Sequence, residues 1–252
     1  PVGHRKDRGT PGTLRVAGRL GEAPRVDRLS YRAPGLSAEG AVLLQPGGGL
    51  SQAFFPEVTV GDWLSGALTL TGRGAGLPPA VTLQNGAIDL RRAAFGEGSD
   101  DGTGPPLTLG LERLVILDDI VLTDMAAELR SDGTLTGAFT ARMNGGTTLA
   151  GRLDPSEHGA RISIRAADGG QLVRDAGIFE QVRGGTLSRG LRPRAEEGQF
   201  DGRGQMTDIR VEDAPAMAEL LSAISLVGLF GQLDGGGLVF GTVDASFRLT
   251  PG

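Results

Sequence analysis

Few side chains in this chain stand where they can do chemistry together. Two histidines, His4 and His158, lie in polar loops rich in Gly and Pro, with no cysteine in the 252 residues and no carboxylate at ligand spacing, so neither builds a metal site. Asp118 and Asp119 are adjacent at a strand end. Consecutive strand side chains point to opposite faces, which is wrong for a shared general acid and base and right for a turn. Glu196 and Glu197 follow Arg192, Pro193 and Arg194 in a surface loop. The run from Gly72 to Gly76 is glycine-rich enough to approach phosphate, but Leu77, Pro78 and Pro79 follow where a helix N-terminus would have to supply amides. No serine sits in a Gly-Xaa-Ser-Xaa-Gly elbow, and Asp100 with Asp101 offers too few oxygens for a calcium loop. The residues point away from an enzyme: no catalytic residue, no metal and no cofactor is expected, and the function falls to a surface.

That surface is written in alternation. Leu14, Val16 and Leu20 alternate with Arg15, Ala17 and Arg19; Leu68 and Leu70 with Thr69 and Thr71; Leu135, Phe139, Ala141 and Met143 with Thr134, Thr136, Thr140 and Arg142. Each run predicts a strand with one wet and one dry face. Asn85 with Gly86, Asp101 with Gly102, Asp132 with Gly133, Asn144 with Gly145 and Asp201 with Gly202 predict tight turns, hence a string of antiparallel hairpins. Residues 107–129 split into two strands at Asp118 and Asp119. The last alternation places Val239, Val243, Ala245, Phe247 and Leu249 inwards, against Thr242, Asp244, Ser246 and Arg248.

Helical spacing occurs twice. Leu172, Val173, Ala176, Phe179 and Val182 share one face over 170–182. Met217, Leu220, Leu221, Ile224 and Val227 share one over 215–233, where the apolar stripe changes side near Ser225 and a bend or reversal is expected. Glu219, Gly228 and Gln232 interrupt this second stretch, so it predicts a segment packed on protein, not a membrane span.

The totals agree with a folded, turn-rich chain: 43 glycines, against an average usage of about 7%, and only 4% aromatic residues. Eight basic against three acidic residues in 1–32 leave the remainder at −10 within a net −5, and an acidic body argues against nucleic acid as a partner. Beginning at Pro1 without a signal peptide, the chain reads as a piece of something longer.

Three blocks, 175–187 (from Asp175, Ala176, Gly177, Ile178 and Phe179), 204–229 (through Met206, Asp208, Asp213 and Pro215) and 235–249, carry a resemblance to the AsmA-like superfamily of repeating β-groove proteins, the YhdP and TamB group, in particular the C-terminal region of its alphaproteobacterial members. Residues 186–194 are more polar than the strand this resemblance implies there. The resemblance implies a mainly β fold, a long curved antiparallel sheet shaped like a taco, with two short helical segments. The organisation it implies is a flexible entry over 1–12, β-hairpin repeats over 13–160 and an AsmA-like region over 161–252. It also implies an inner-membrane-anchored protein of the periplasm that carries phospholipids between inner and outer membrane, meeting membranes at its ends. The candidates for lining the groove are Leu172, Phe179, Leu220, Leu221, Ile224, Val239, Val243, Phe247 and Leu249, an apolar interior with no fixed polar ligand. Two other readings stand beside it. One is a structural or assembly-modulating periplasmic domain whose groove its own side chains fill. The other is an outer-membrane barrel, whose aromatic girdles one Trp and one Tyr do not supply.

Overall fold

Segments with period-two alternation present one apolar face and leave backbone donors and acceptors along both edges, so they are stable only when neighbouring strands pair with them. The structure, a computed structural model, describes residues 11–19, 21, 24–93, 104–196, 198–212, 225–226 and 238–250. Among these residues the chain is mainly β, with sixteen strands and one helix. It divides into two compact units, Pro1–Asp118 with Thr123–Gly133, and Asp119–Leu122 with Thr134–Gly252. The change of pattern near Arg161 therefore marks the place where a helix is inserted, within the second unit.

In the first unit β1 (Thr13–Arg19), β2 (Arg25–Ala33), β3 (Leu36–Leu44), β4 (Leu50–Val60), β5 (Leu64–Thr71) and β6 (Ala80–Asp89) pair in chain order, each antiparallel to the next. β7 (Leu107–Leu117) breaks the hairpin rule, because it runs parallel to β6. Residues 90–106 separate the two, a connection long enough for the return crossover that parallel pairing needs. β8 (Ile120–Asp132) follows the turn at Asp118 and Asp119. In the second unit β9 (Thr134–Met143), β10 (Thr148–Ser156), β11 (Gly159–Ala166), β13 (Thr186–Pro193), β14 (Phe200–Val211) and β16 (Leu238–Leu249) pair antiparallel in that order. Between β11 and β13 come α1 (Gly169–Asp175) and the two-residue β12 (Val182–Arg183), which pairs with the end of β14.

The helices differ from expectation. α1 covers only the first half of 170–182: its carbonyl ladder closes at Ala176, and Gly177, at φ 66°, turns the chain out of the helix. Asp168 starts it, its Oδ1 accepting from the Gln171 amide at 2.8 Å. Of the stretch 215–233, only Ser225–Leu226 is described, and there the backbone is not helical but a short strand, β15, paired with Asp244 and Val243 at the open edge of β16. The expected bend and the rest of that helix, Leu220, Leu221 and Ile224 included, lie outside the described residues.

Of the predicted turns, Gly133 and the pair Asn144 and Gly145 do close hairpins, the last two at φ 48° and 78°. Asp101 and Gly102 lie outside the described residues. Asn85 with Gly86 and Asp201 with Gly202 instead sit inside β6 and β14. Asn85, Asp124 and Asp208 are all mid-strand residues in the left-handed region, at φ 48°, 48° and 56°, a conformation that Asn and Asp tolerate at low cost. At each, the inward positions step by three instead of two: Leu83 to Gly86, Leu122 to Met125, and the half-buried Met206 to the fully buried Ile209. The strand thus turns its other face to the core halfway along, adding twist without ending.

Candidate functional site

The register of the second unit generates its apolar face row by row. One row runs Phe139, Gly151, Ile164, Arg189, Gly204 and Ala245; the next runs Gly137, Leu153, Ile162, Leu191, Gly202 and Phe247. On the other side of the first row lie Ala141 beside Leu149, and Ala166, Leu187, Met206 and Val243. Within these three rows every position is apolar or glycine except Arg189.

The face is closed at one end and open at the other. Val182, Ile209, Val211, Phe240 and Val243 form a buried core, with Phe179, Met206 and Leu238 packed against it. Leu172 on α1 is buried at 5% exposure, and Leu149, Ala141 and Ala166 are buried with it. Asn144 pins this end: it accepts from the Val121 amide at 2.8 Å and donates to the carbonyls of Asp119 and Asp175 at 2.8 and 2.6 Å. Asp175 accepts from the amide and hydroxyl of Thr147, both at 2.6 Å, and from Gln171. Burial pushes its carboxyl up, but these hydrogen bonds outweigh it and hold Asp175 below the ordinary carboxylate range. Away from α1, Leu153, Ile162, Leu191, Phe247 and Leu249 are only half-buried. Within the second unit, among the described residues, no other sheet covers them; α1 packs on β12, β13 and β14, and its Asp175 meets the turn at Asn144 and Thr147.

Two rings shape the open end. Phe139 lies over Gly151 and Phe247 over Gly202, so close that a Cβ on either glycine would fall 2.0 Å from the ring's Cζ. The Arg189 guanidinium stacks on the Phe247 ring, 4.2 Å from its centroid. Its Nε is buried with no hydrogen-bond partner, and loss of water alone pushes its pKa down. On the opposite side is an open hollow of about 540 Å³, in which Thr140, Thr148, Arg165, Thr186, Ser188 and Thr207 stand beside Leu149, Ala150, Ala166 and Leu187.

Of the expected groove residues, Val243, Phe247 and Leu249 share the apolar face of β16, and Phe179 packs on the core that includes Val243. Leu172 is buried under its helix. Val239 is a correction: it is 39% exposed on the opposite side while Phe240 is buried, because the face switches where Asp208 and Gly241 stand opposite each other. Leu220, Leu221 and Ile224 lie outside the described residues. The interior free of polar groups is also corrected, by Arg189; the polarity of 186–194 was its signal in the sequence.

Of the carboxylates singled out in the sequence, Asp118 and Glu196 are held by arginines. Arg91 bridges Asp89 and Asp118, and Arg92 reaches Asp62 at 2.7 Å, tying three turns of the first unit together. The Arg91 side chain, with its amide and Arg92 adding to the effect, draws Asp89 down to about 2. Glu196 and Asp201 are partners of Arg194 at the surface. Among the described residues no group of three or more His, Asp or Glu is placed to hold a metal ion, and no helix is long and apolar enough to cross a membrane. No protein-family model, curated protein or solved structure matches this chain.

Proposed function

We propose that this chain is part of a bridge-like lipid transport protein of the periplasm, anchored in the inner membrane, whose apolar β face receives phospholipid acyl chains on their way between inner and outer membrane. The observation that carries the reading is the open end of the second unit. There Leu153, Ile162, Leu191 and Phe247 form a continuous one-sided apolar strip only half-buried by protein, and water is the costly occupant of such a strip. Each acyl methylene laid on it gains up to about 0.8 kcal/mol, without directional bonds, so chains are held by area and remain free to slide. Asp118 and Glu196 are taken up by Arg91 and Arg194, and among the described residues no carboxylate stands in the three rows of the apolar face.

Native mass spectrometry of the purified protein tests this. Co-purifying species at phospholipid masses, lost when Leu191 is replaced by Asp and kept when the outward-facing Arg192 is, would support it. A protein that emerges free of lipid and takes none up from micelles would favour the alternative, a structural domain whose face its own chain fills.

A further inference from the structure

Arg189 is set in the wrong place for a structural arginine. Its cross-strand neighbours are Ile164 and Gly204, and no described carboxylate shares its face: Asp201, with Arg194 and Arg248, points to the other side of the sheet. A guanidinium keeps its charge even when burial disfavours it, and a half-buried cation without a counter-ion is unstable until an anion joins it. The head lies over Phe247, towards the open end of the face. Beside it Gly204 leaves bare backbone, since a Cβ there would meet no atom within 4 Å. That gap is room beside the fork of donors that fits a phosphate.

We propose that Arg189 receives the phosphodiester of an anionic glycerophospholipid, so that this face selects lipids of net negative charge over zwitterionic ones. This rests on the lipid-groove reading. The surroundings specify an amphiphile: Ile164, Leu191 and Phe247 offer nothing to the remaining oxygens of a free phosphate but suit the chains attached to a lipid phosphate. Selectivity follows from the missing counter-ion. A zwitterionic headgroup brings its own cation to compete with Arg189 for the phosphate, whereas an anionic one does not. The chain's net charge of −5 repels anions elsewhere, which leaves Arg189 as the local reason for one to stay.

The test presents the purified protein with equal micellar concentrations of dioleoylphosphatidylglycerol and dioleoylphosphatidylcholine, and separately with inorganic phosphate, and counts bound species by native mass spectrometry. Several-fold more phosphatidylglycerol than phosphatidylcholine is expected on the native protein. Arg189→Met should bring that ratio near one while phosphatidylcholine binding stays within twofold, and Arg189→Lys should keep most of the preference. Melting gives an independent readout: Arg189→Met should melt at or above the native temperature, because no internal ion pair is lost. A ratio unchanged by Arg189→Met, equal binding of both lipids by the native protein, inorganic phosphate binding as well as lipid, or a melting temperature lowered by several degrees in Arg189→Met would each overturn the assignment while leaving the groove standing. If neither lipid binds at all, the groove reading fails and this one with it.

Discussion

Replacing Gly202 by Ala is a small change with a large expected effect, because the ring of Phe247 occupies the space a side chain would need. The added Cβ falls 2.0 Å from Cζ and 2.1 Å from Cε2 of the ring, where ordinary contact begins at 3.4 Å, so the ring must retreat by about 1.4 Å. It can do so only by swinging off the β14 backbone, which also breaks its stack with Arg189. Overpacking of this kind costs about 1–3 kcal/mol, offset by about 0.5–1 kcal/mol that Gly→Ala gains in a strand. The net loss is then about 0–2.5 kcal/mol, centred near 1 kcal/mol, or roughly 2–4 °C in melting temperature for a chain this size. Gly204→Ala is the matched control, on the same strand and the same face, with nothing within 4 Å of its Cβ; it should melt at or slightly above the native temperature. In a Phe247→Ala background, Gly202→Ala should cost nothing further. Thermal melts and urea titrations read all four proteins. If Gly202→Ala and Gly204→Ala melt together, the ring does not lie where the register puts it, and the inward assignment of β14 and β16 is wrong.

Other consequences are as direct. Asn144→Ala removes three hydrogen bonds and leaves a residue poorly suited to φ 48°, so it should cost about 2–4 kcal/mol in urea unfolding; Asn144→Gly, which tolerates the dihedral, should cost about 1 kcal/mol less. Asp89 and Asp175 are both held below the ordinary aspartate value, so the stability they contribute is complete above about pH 4 and lost as pH falls towards their folded values. Asp175→Asn should flatten that acid dependence in melts between pH 5 and pH 2 on the order of the shift itself. Phe247→Asp is expected to be milder than a charge at Leu153, because Arg189 lies within reach of position 247 whereas Leu153 pairs with Ile162 and Gly137; Leu153→Asp should fall well below Arg152→Asp in melting temperature.

The sequence made the strands and their faces legible wherever alternation ran unbroken, as from Phe139 to Met143, and it located the turns at Gly133 and Asn144. What it hid has a common cause. An Asn or Asp next to Gly signals a left-handed residue, and a left-handed residue closes a hairpin only if the chain then pairs back on itself. At Asn85 the chain goes on to pair with β5 and β7, so the same local preference shifts the strand's face within β6. Asp208, with no Gly beside it to mark it, makes the same left-handed turn and reverses which side of β14 and β16 is buried, so Val239 faces outward. The parallel pairing of β6 with β7 is likewise non-local. Asn85 and Asp208 are each one residue in a strand of ten or twelve, and a period-two pattern read from either end of the strand is right until it crosses them. Arg189 was legible as polarity in 186–194 but not as a site, since its meaning depends on Ile164 and Gly204, neighbours only across the sheet.

The central claim, that the face bearing Ile164 and Leu191 holds lipid, is tested most directly by photocrosslinking in living cells. p-Benzoylphenylalanine placed at Leu191, at its outward neighbour Arg192, at Ile164 and at its outward neighbour Arg165 reads the two faces side by side. Lipid adducts at 164 and 191 with none at 165 and 192 are what a lipid-carrying face requires. Adducts at both faces alike, or protein adducts alone at 164 and 191, would contradict it.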